Sequence, residues 1–191
     1  MKKGDYISII LRSNKTVFSF KDIALLWGDS SNAARVRVNY YLKNGDLYRI
    51  HQGFYAKDKD YNKKELAIKI YTPSYISFET VLGKAGVTFQ YYNKIFIASY
   101  LTREIAINKQ IYAYRKIKDL ILTNDIGIEH KNNYSIAISE RAFLDIVYLN
   151  KNYHFDNLSA LDWNKVSEIL PIYSNKRMEK EIKSYQKIYD T

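Results

Sequence analysis

SNAARVRVNYYLKNGDLYRIHQGFYA, residues 31–56, decides how the first part of this chain is read. No acidic residue stands between Asn32 and Lys43. At 100° per residue, Ala34, Val38, Tyr41 and Leu42 form one stripe, the spacing of a helix with one buried side. Asn32, Val36, Asn39 and Lys43 fall opposite, flanked by Arg35 and Tyr40, with Arg37 on the other shoulder. Gly45 ends the helix. Two short alternating runs follow, residues 47–50 and 54–56, about a His51-Gln52-Gly53 turn. A hairpin this small is not stable alone, so it must lean on what precedes it.

Working backwards, Ser30 or Ser31 caps the helix over 32–43. Gly28 closes an earlier helix over 20–27, whose N-cap is Ser19 and whose positive end carries Asp22. A short extended piece at 16–18 and a first helix over 3–12 complete the set. The order is helix, helix, glycine-containing turn, helix, hairpin. That is the order of a winged helix-turn-helix, in which the third helix enters the major groove. The residues expected to meet DNA are Ser31, Asn32, Arg35, Val36, Arg37, Asn39 and Lys43 on the helix, with Arg49 and His51 on the wing. Arg and Asn read guanine and adenine edges bidentately, and Val36 suits a thymine methyl. Lys43, Arg49 and His51 suit phosphates, which set affinity and salt dependence.

The composition agrees with that reading. The chain has 191 residues, enough for one large or two small domains, and 47% of them are hydrophobic, enough for a real core. The formal net charge is +10, a balance that suggests a polyanionic partner. Residues 1–60 hold 11 Lys/Arg against 6 Asp/Glu, and residues 61–191 hold 19 against 14. The first third therefore carries about twice the charge per residue. There is no cysteine, which excludes disulfides, cysteine-ligated zinc, iron–sulfur clusters and a thiol nucleophile. The opening MKKGDYISIILRS lacks the pattern of a leader, and no apolar run approaches a bilayer span. A cytoplasmic protein with no membrane partner is expected.

The charged stretch 56–64 marks the expected boundary, giving a winged helix-turn-helix over 1–60 and a mixed domain over 61–191. In the second part, helices are expected at 63–71, 77–85 and 140–149, the last capped by Ser139. Strands are expected at 95–101, 104–108 and 110–116, and a hairpin at 126–129 and 134–138. Asp162 caps a helix over 163–170 that Pro171 stops. Ser174 caps a last helix with Met178, Ile182, Tyr185 and Tyr189 at helical spacing. The fold class is α+β.

Four segments carry a family resemblance: LYRIHQGFYA (47–56), ELAIKIYTPSYISFETVLGKAG (65–86), TREIAINKQIYAYRKI (102–117) and AISERAFLDIVYLN (137–150). In their order and spacing they resemble the AbiEi family of bacterial abortive-infection antitoxins, over residues 20 to 150. Val81 stands where a smaller residue is expected, and residues 123–131 have no counterpart. The resemblance implies a winged-helix domain that represses its own operon, at inverted repeats in double-stranded DNA. It also implies a second domain that counteracts a neighbouring nucleotidyltransferase-type toxin, directly or indirectly. The protein would be a monomer or dimer; two copies would fill the inverted repeats, either dimerising on DNA or binding without a stable dimer in solution.

Two other functions remain in view. One is a metal-dependent nuclease docked by the winged helix. Asp125, Glu129 and Lys131 are the residue types that hold Mg2+ and position a water, although Lys131 beside Asn132-Asn133 reads as a turn residue. The other is a plain repressor without a toxin. The histidines, His51, His130 and His154, have no ligand-like spacing. Gly83-Lys84-Ala85-Gly86 lacks the form of a phosphate loop. No catalytic residue, metal or cofactor is expected. The lysines and arginines of 103–118 suit DNA, an acidic toxin surface or a nucleic-acid substrate shared with the toxin; the tyrosines of the second part suit the core and interfaces first, and base stacking second.

Overall fold

The computed structural model describes residues 5–189. The expected start of the first helix, at Lys3, lies outside them. By its contacts the chain divides into two units, Met1–Lys69 and Ile70–Thr191. The whole is mixed α+β, with one sheet in each unit.

The first unit runs α1 (Asp5–Arg12), β1 (Val17–Ser19), α2 (Phe20–Trp27), α3 (Ser31–Asn44), β2 (Tyr48–His51) and β3 (Phe54–Ala56), and then most of α4 (Lys63–Ile70). Local chemistry sets these bounds. Ser19 Oγ accepts the Asp22 amide while the Asp22 carboxylate accepts the Ser19 amide, closing a capping box at the start of α2. Gly28 and Gly45, both left-handed, end α2 and α3. The core gathers Ile10, Phe18, Ile23, Trp27, Val38 and Tyr41. Trp27 Nε1 donates to the Tyr6 carbonyl at 2.8 Å, so the buried indole keeps a partner. The sheet order is β1-β3-β2, antiparallel throughout. The hairpin is thus completed by β1, a third strand from upstream. Its tip is also held, since the Phe20 amide donates to the Gly53 carbonyl at 2.8 Å.

The division between the units falls later than the charged stretch suggests. Thr16 N–H and Oγ1 both donate to the buried Glu65 carboxylate, at 2.9 and 2.7 Å. Lys69 Nζ donates to Asp22 at 3.0 Å. Charge and lack of aliphatics mark residues 56–64 as surface, but the helix that follows is anchored to the first unit.

The second unit holds a six-stranded mixed sheet, in the order β6-β7-β5-β4-β9-β8. Its strands are β4 (Ser74–Ile76), β5 (Lys94–Ser99), β6 (Arg103–Ile107), β7 (Gln110–Lys116), β8 (Ile128–His130) and β9 (Ser135–Ala137). β4, which joins the two halves of the sheet, falls in a segment not read as a strand. Asn108 and Lys109, both at positive φ, make the two-residue turn between β6 and β7. The helices are α5 (Glu79–Ala85), α6 (Asp119–Leu122), α7 (Ser139–Leu149), α8 (Trp163–Ile169) and α9 (Lys176–Tyr189). α7 is the central one, with every residue from Glu140 to Val147 buried.

Three expected features differ. Ser139 is the first residue of α7 rather than its cap; the N-cap is Ile138, and Ser139 Oγ donates to Glu140. Pro171 does not stop the chain's helical course; residues 170–173 form a 3-10 turn with Pro near its start, where a missing N–H does no harm. Ser174 takes a left-handed conformation with φ 45°, and the cap of α9 is Asn175, whose Oδ1 accepts the Arg177 amide at 3.0 Å. On α9, Met178 and Ile182 are buried, while the Tyr189 side chain lies outside the described set. No helix among the described residues is long and apolar enough to cross a membrane.

Candidate functional site

α3 has the exposed, carboxylate-free face that its spacing predicts. Ala34, Val38 and Tyr41 are buried. Asn32, Arg35, Val36, Asn39 and Lys43 are exposed, Val36 by 72%. Ser30 is the cap, its Oγ accepting the Ala33 amide at 3.4 Å. Ser31 is therefore the first helical residue, exposed and free of capping duty. Arg35 reaches no carboxylate among the described residues, and its guanidinium stands 5.9 Å from the Phe20 ring. That is the outer limit of a cation–π contact, and the group is exposed to solvent.

Arg37 is different. Its Nε donates to Asp29 at 2.9 Å, and its guanidinium lies 3.5 Å from the centre of the Tyr6 ring. It is partly buried, and Asp29 more so. Hydrogen bonding to Asp29, working against burial, holds the guanidinium above its ordinary pKa. Arg37 therefore joins α3 to α1 and to the turn before α3. Its Nε and the guanidinium face over Tyr6 are engaged in that joint. The wheel placed Arg37 on a shoulder, and a shoulder position is decided by what packs beside it.

On β2, Arg49 and His51 are both exposed, with Ile50 buried between them. The pairing shifts register between Arg49 and His51, and the extra residue turns the strand at this point. Gly53 at the tip has φ 77°, a conformation that favours glycine. No hydrogen bond or ion pair joins Arg49 or His51 to the exposed side chains of α3 among the described residues.

In the second unit, the acidic segment 125–131 is an exposed strand end. Lys131 Nζ pairs with Glu129, whose carboxylate raises the Lys131 pKa. His130 Nε2 stands 3.5 Å from Asp125. Among the described residues no group of three His, Asp or Glu side chains converges as a metal site would require.

A buried polar cluster went unread in the sequence. Arg141 and Asp145, one turn apart on α7, are both fully buried. Arg141 donates to the carbonyls of Ile121 and Ile126, each at 2.7 Å, and to the Tyr75 hydroxyl at 3.0 Å. Asp145 accepts from Tyr75 at 3.0 Å, Ser77 at 2.7 Å and Tyr173 at 2.7 Å. Burial raises the Asp145 carboxyl above its ordinary value, while Arg141 and the three hydroxyls oppose that rise. Burial, reinforced by Asp145, pushes both phenols well above the ordinary range, so they remain donors. Gly127 completes the fit. Its φ is +76°, and a Cβ there would come within 2.9 Å of Arg141 Cβ. The cluster ties α7 to β4 and to the loop before β8, and it is closed to solvent. The signal was present as SERAFLD, with Arg and Asp at i and i+4 inside an otherwise apolar stripe. No family model matches the chain, and no curated protein matches it.

Proposed function

We propose that the first unit is a winged helix-turn-helix that binds double-stranded DNA. In this reading the whole chain is a cytoplasmic autorepressor and antitoxin. The observation that carries the DNA reading is the exposed face of α3: Asn32, Arg35, Val36, Asn39 and Lys43, with no carboxylate among them, on a helix capped at both ends. The strand order β1-β3-β2 and the anchored hairpin tip support it, because they give α3 and a wing a common rigid base. Arg35 and Asn39 read base edges. Lys43, Arg49 and His51 meet phosphates, and Arg37 holds the reading helix in place.

The antitoxin half of the proposal rests on the resemblance of the four sequence segments to AbiEi proteins. The second unit would counteract a nucleotidyltransferase-type toxin, and the operator would contain inverted repeats.

Binding of the purified protein to the DNA upstream of its own gene, against a scrambled duplex, tests the first half. Selective binding that Arg35→Ala and Asn39→Ala weaken by about 1–3 kcal/mol each is expected. Equal affinity for both duplexes would remove specific repression. Co-expression with the neighbouring gene tests the second half. A toxic neighbour that the full chain neutralises, and residues 1–69 alone do not, is expected.

A further inference from the structure

The second unit carries two adjoining cavities whose charged lining is mostly cationic. One, of about 470 Å3, is lined by Lys116, Lys118, Lys151, Tyr148, Asn175 and Arg177. The other, of about 730 Å3, lies along α9 and is lined by Lys176, Lys180, His154, Tyr153 and Tyr185, among others. Arg177 is common to both. The one carboxylate in either wall is Glu181. Its charge is already met, by Arg177 at 2.6 Å and the Asn152 amide at 2.7 Å. Arg177 in turn donates to the carbonyls of Val147 and Tyr148, at 2.8 and 2.9 Å. The shared wall is therefore rigid and locally neutral. The five lysines are all exposed, and none has a carboxylate partner among the described residues.

We propose that these cavities form a binding site for single-stranded nucleic acid, separate from the α3 face. Five unpaired ammonium groups around two linked hollows suit a run of phosphates. The hollows are each of the size that takes up a small ligand, so successive nucleotides can enter them. Half-buried tyrosines line both hollows, Tyr148 at one and Tyr153 and Tyr185 at the other; their rings also pack on Tyr173, Phe155 and Phe143, and aromatic side chains beside a cationic groove are how single strands are held without sequence choice. A duplex is a stiff rod with its bases stacked inside, and it cannot lower a nucleotide into either hollow. An acidic protein partner fits less well, because protein interfaces are depleted in lysine relative to arginine and aromatic residues, whereas most of the cations in these walls are lysines.

The site does not depend on the DNA reading of the first unit, and the test separates the two. The full chain is titrated with labelled oligo-uridylate and oligo-thymidylate over a range of salt. Lys116→Glu/Lys118→Glu/Lys151→Glu should weaken single-strand binding by about tenfold or more and flatten its salt dependence. Lys→Arg at the same positions should keep it. Arg35→Ala/Asn39→Ala should leave it unchanged. Three results would each overturn the site: unchanged affinity in the glutamate variant, displacement of the single strand by an equal concentration of duplex of the same length, or loss of binding in the Arg35/Asn39 variant. Binding of polyglutamate in preference to either oligonucleotide would overturn it too, in favour of an acidic protein. The substituted side chains are exposed, so the thermal midpoint should stay that of the parent.

Discussion

Arg35 and Arg37 are two positions apart on one helix and do different work. Arg35 is exposed and uncommitted to any carboxylate among the described residues, whereas Arg37 is paired with Asp29 and stacked on Tyr6. Arg37→Ala should therefore lower the stability of the first unit by about 1–2 kcal/mol, as partly buried charged hydrogen bonds do. Arg35→Ala should change stability by less than about 0.5 kcal/mol. Urea unfolding of both variants checks this, and equal losses would contradict it. Asp145→Ala is the severe case. It leaves the Arg141 guanidinium buried without its counter-charge, a change that costs about 3–5 kcal/mol. Asp145→Asn keeps the volume but not the charge and should still be strongly destabilising. A near-neutral Asp145→Ala, measured by chemical denaturation, would mean that the carbonyls of Ile121 and Ile126 suffice for Arg141.

Helix caps decide where the elements begin. Asn175 rather than Ser174 caps α9, so Asn175→Ala should cost about 1 kcal/mol while Ser174→Ala costs a few tenths. Comparing the two by thermal unfolding would settle which residue starts the helix. The capping box of α2 has a pH signature. Burial acts to raise the Asp22 carboxyl, but the Ser19 amide, Lys69 and the Ser19 hydroxyl outweigh it and hold the pKa below the ordinary 3.8. The stabilisation is thus complete above that value and is lost as the pH falls through the lower folded value. Asp22→Asn should remove this part of the acid loss. Titration followed by circular dichroism would show a shallower fall below about pH 3.8; an identical acid limb would exclude Asp22 as its source.

The division of the chain after Lys69 has a direct consequence. A fragment of residues 1–60 lacks Glu65 and Lys69, and with them the bonds to Thr16 and Asp22. A fragment of residues 1–69 keeps them. The longer fragment should unfold at a midpoint several degrees higher, since about 1 kcal/mol shifts a domain of this size by roughly 4–8 °C. Equal midpoints would place the functional end of the unit at the charged stretch after all.

Local signals were legible wherever one residue type has one task. Ser19, Gly28, Gly45 and Asp162 end or begin helices where their chemistry requires, and the β-branched and aromatic residues of 110–116 name β7 without help. The α+β class followed from the same signals. Position 37 was not legible, because the wheel shows which way a side chain leaves the helix and not what stands beside it. β4 was not legible either. Three buried residues between neighbours carry no alternation, and its pairing with β5 and β9 joins segments far apart in the chain. The buried Arg141–Asp145 pair and the lysine-walled cavities arise in the same way. The burial and partners of the first, and the walls of the second, come from several elements meeting in space, and only the packed chain brings them together. Local turns, caps and amphipathic faces follow from residue order, because they depend on neighbours a few residues away. The tertiary structure alone decided which charges are buried, paired or free, because that depends on neighbours from distant parts of the chain.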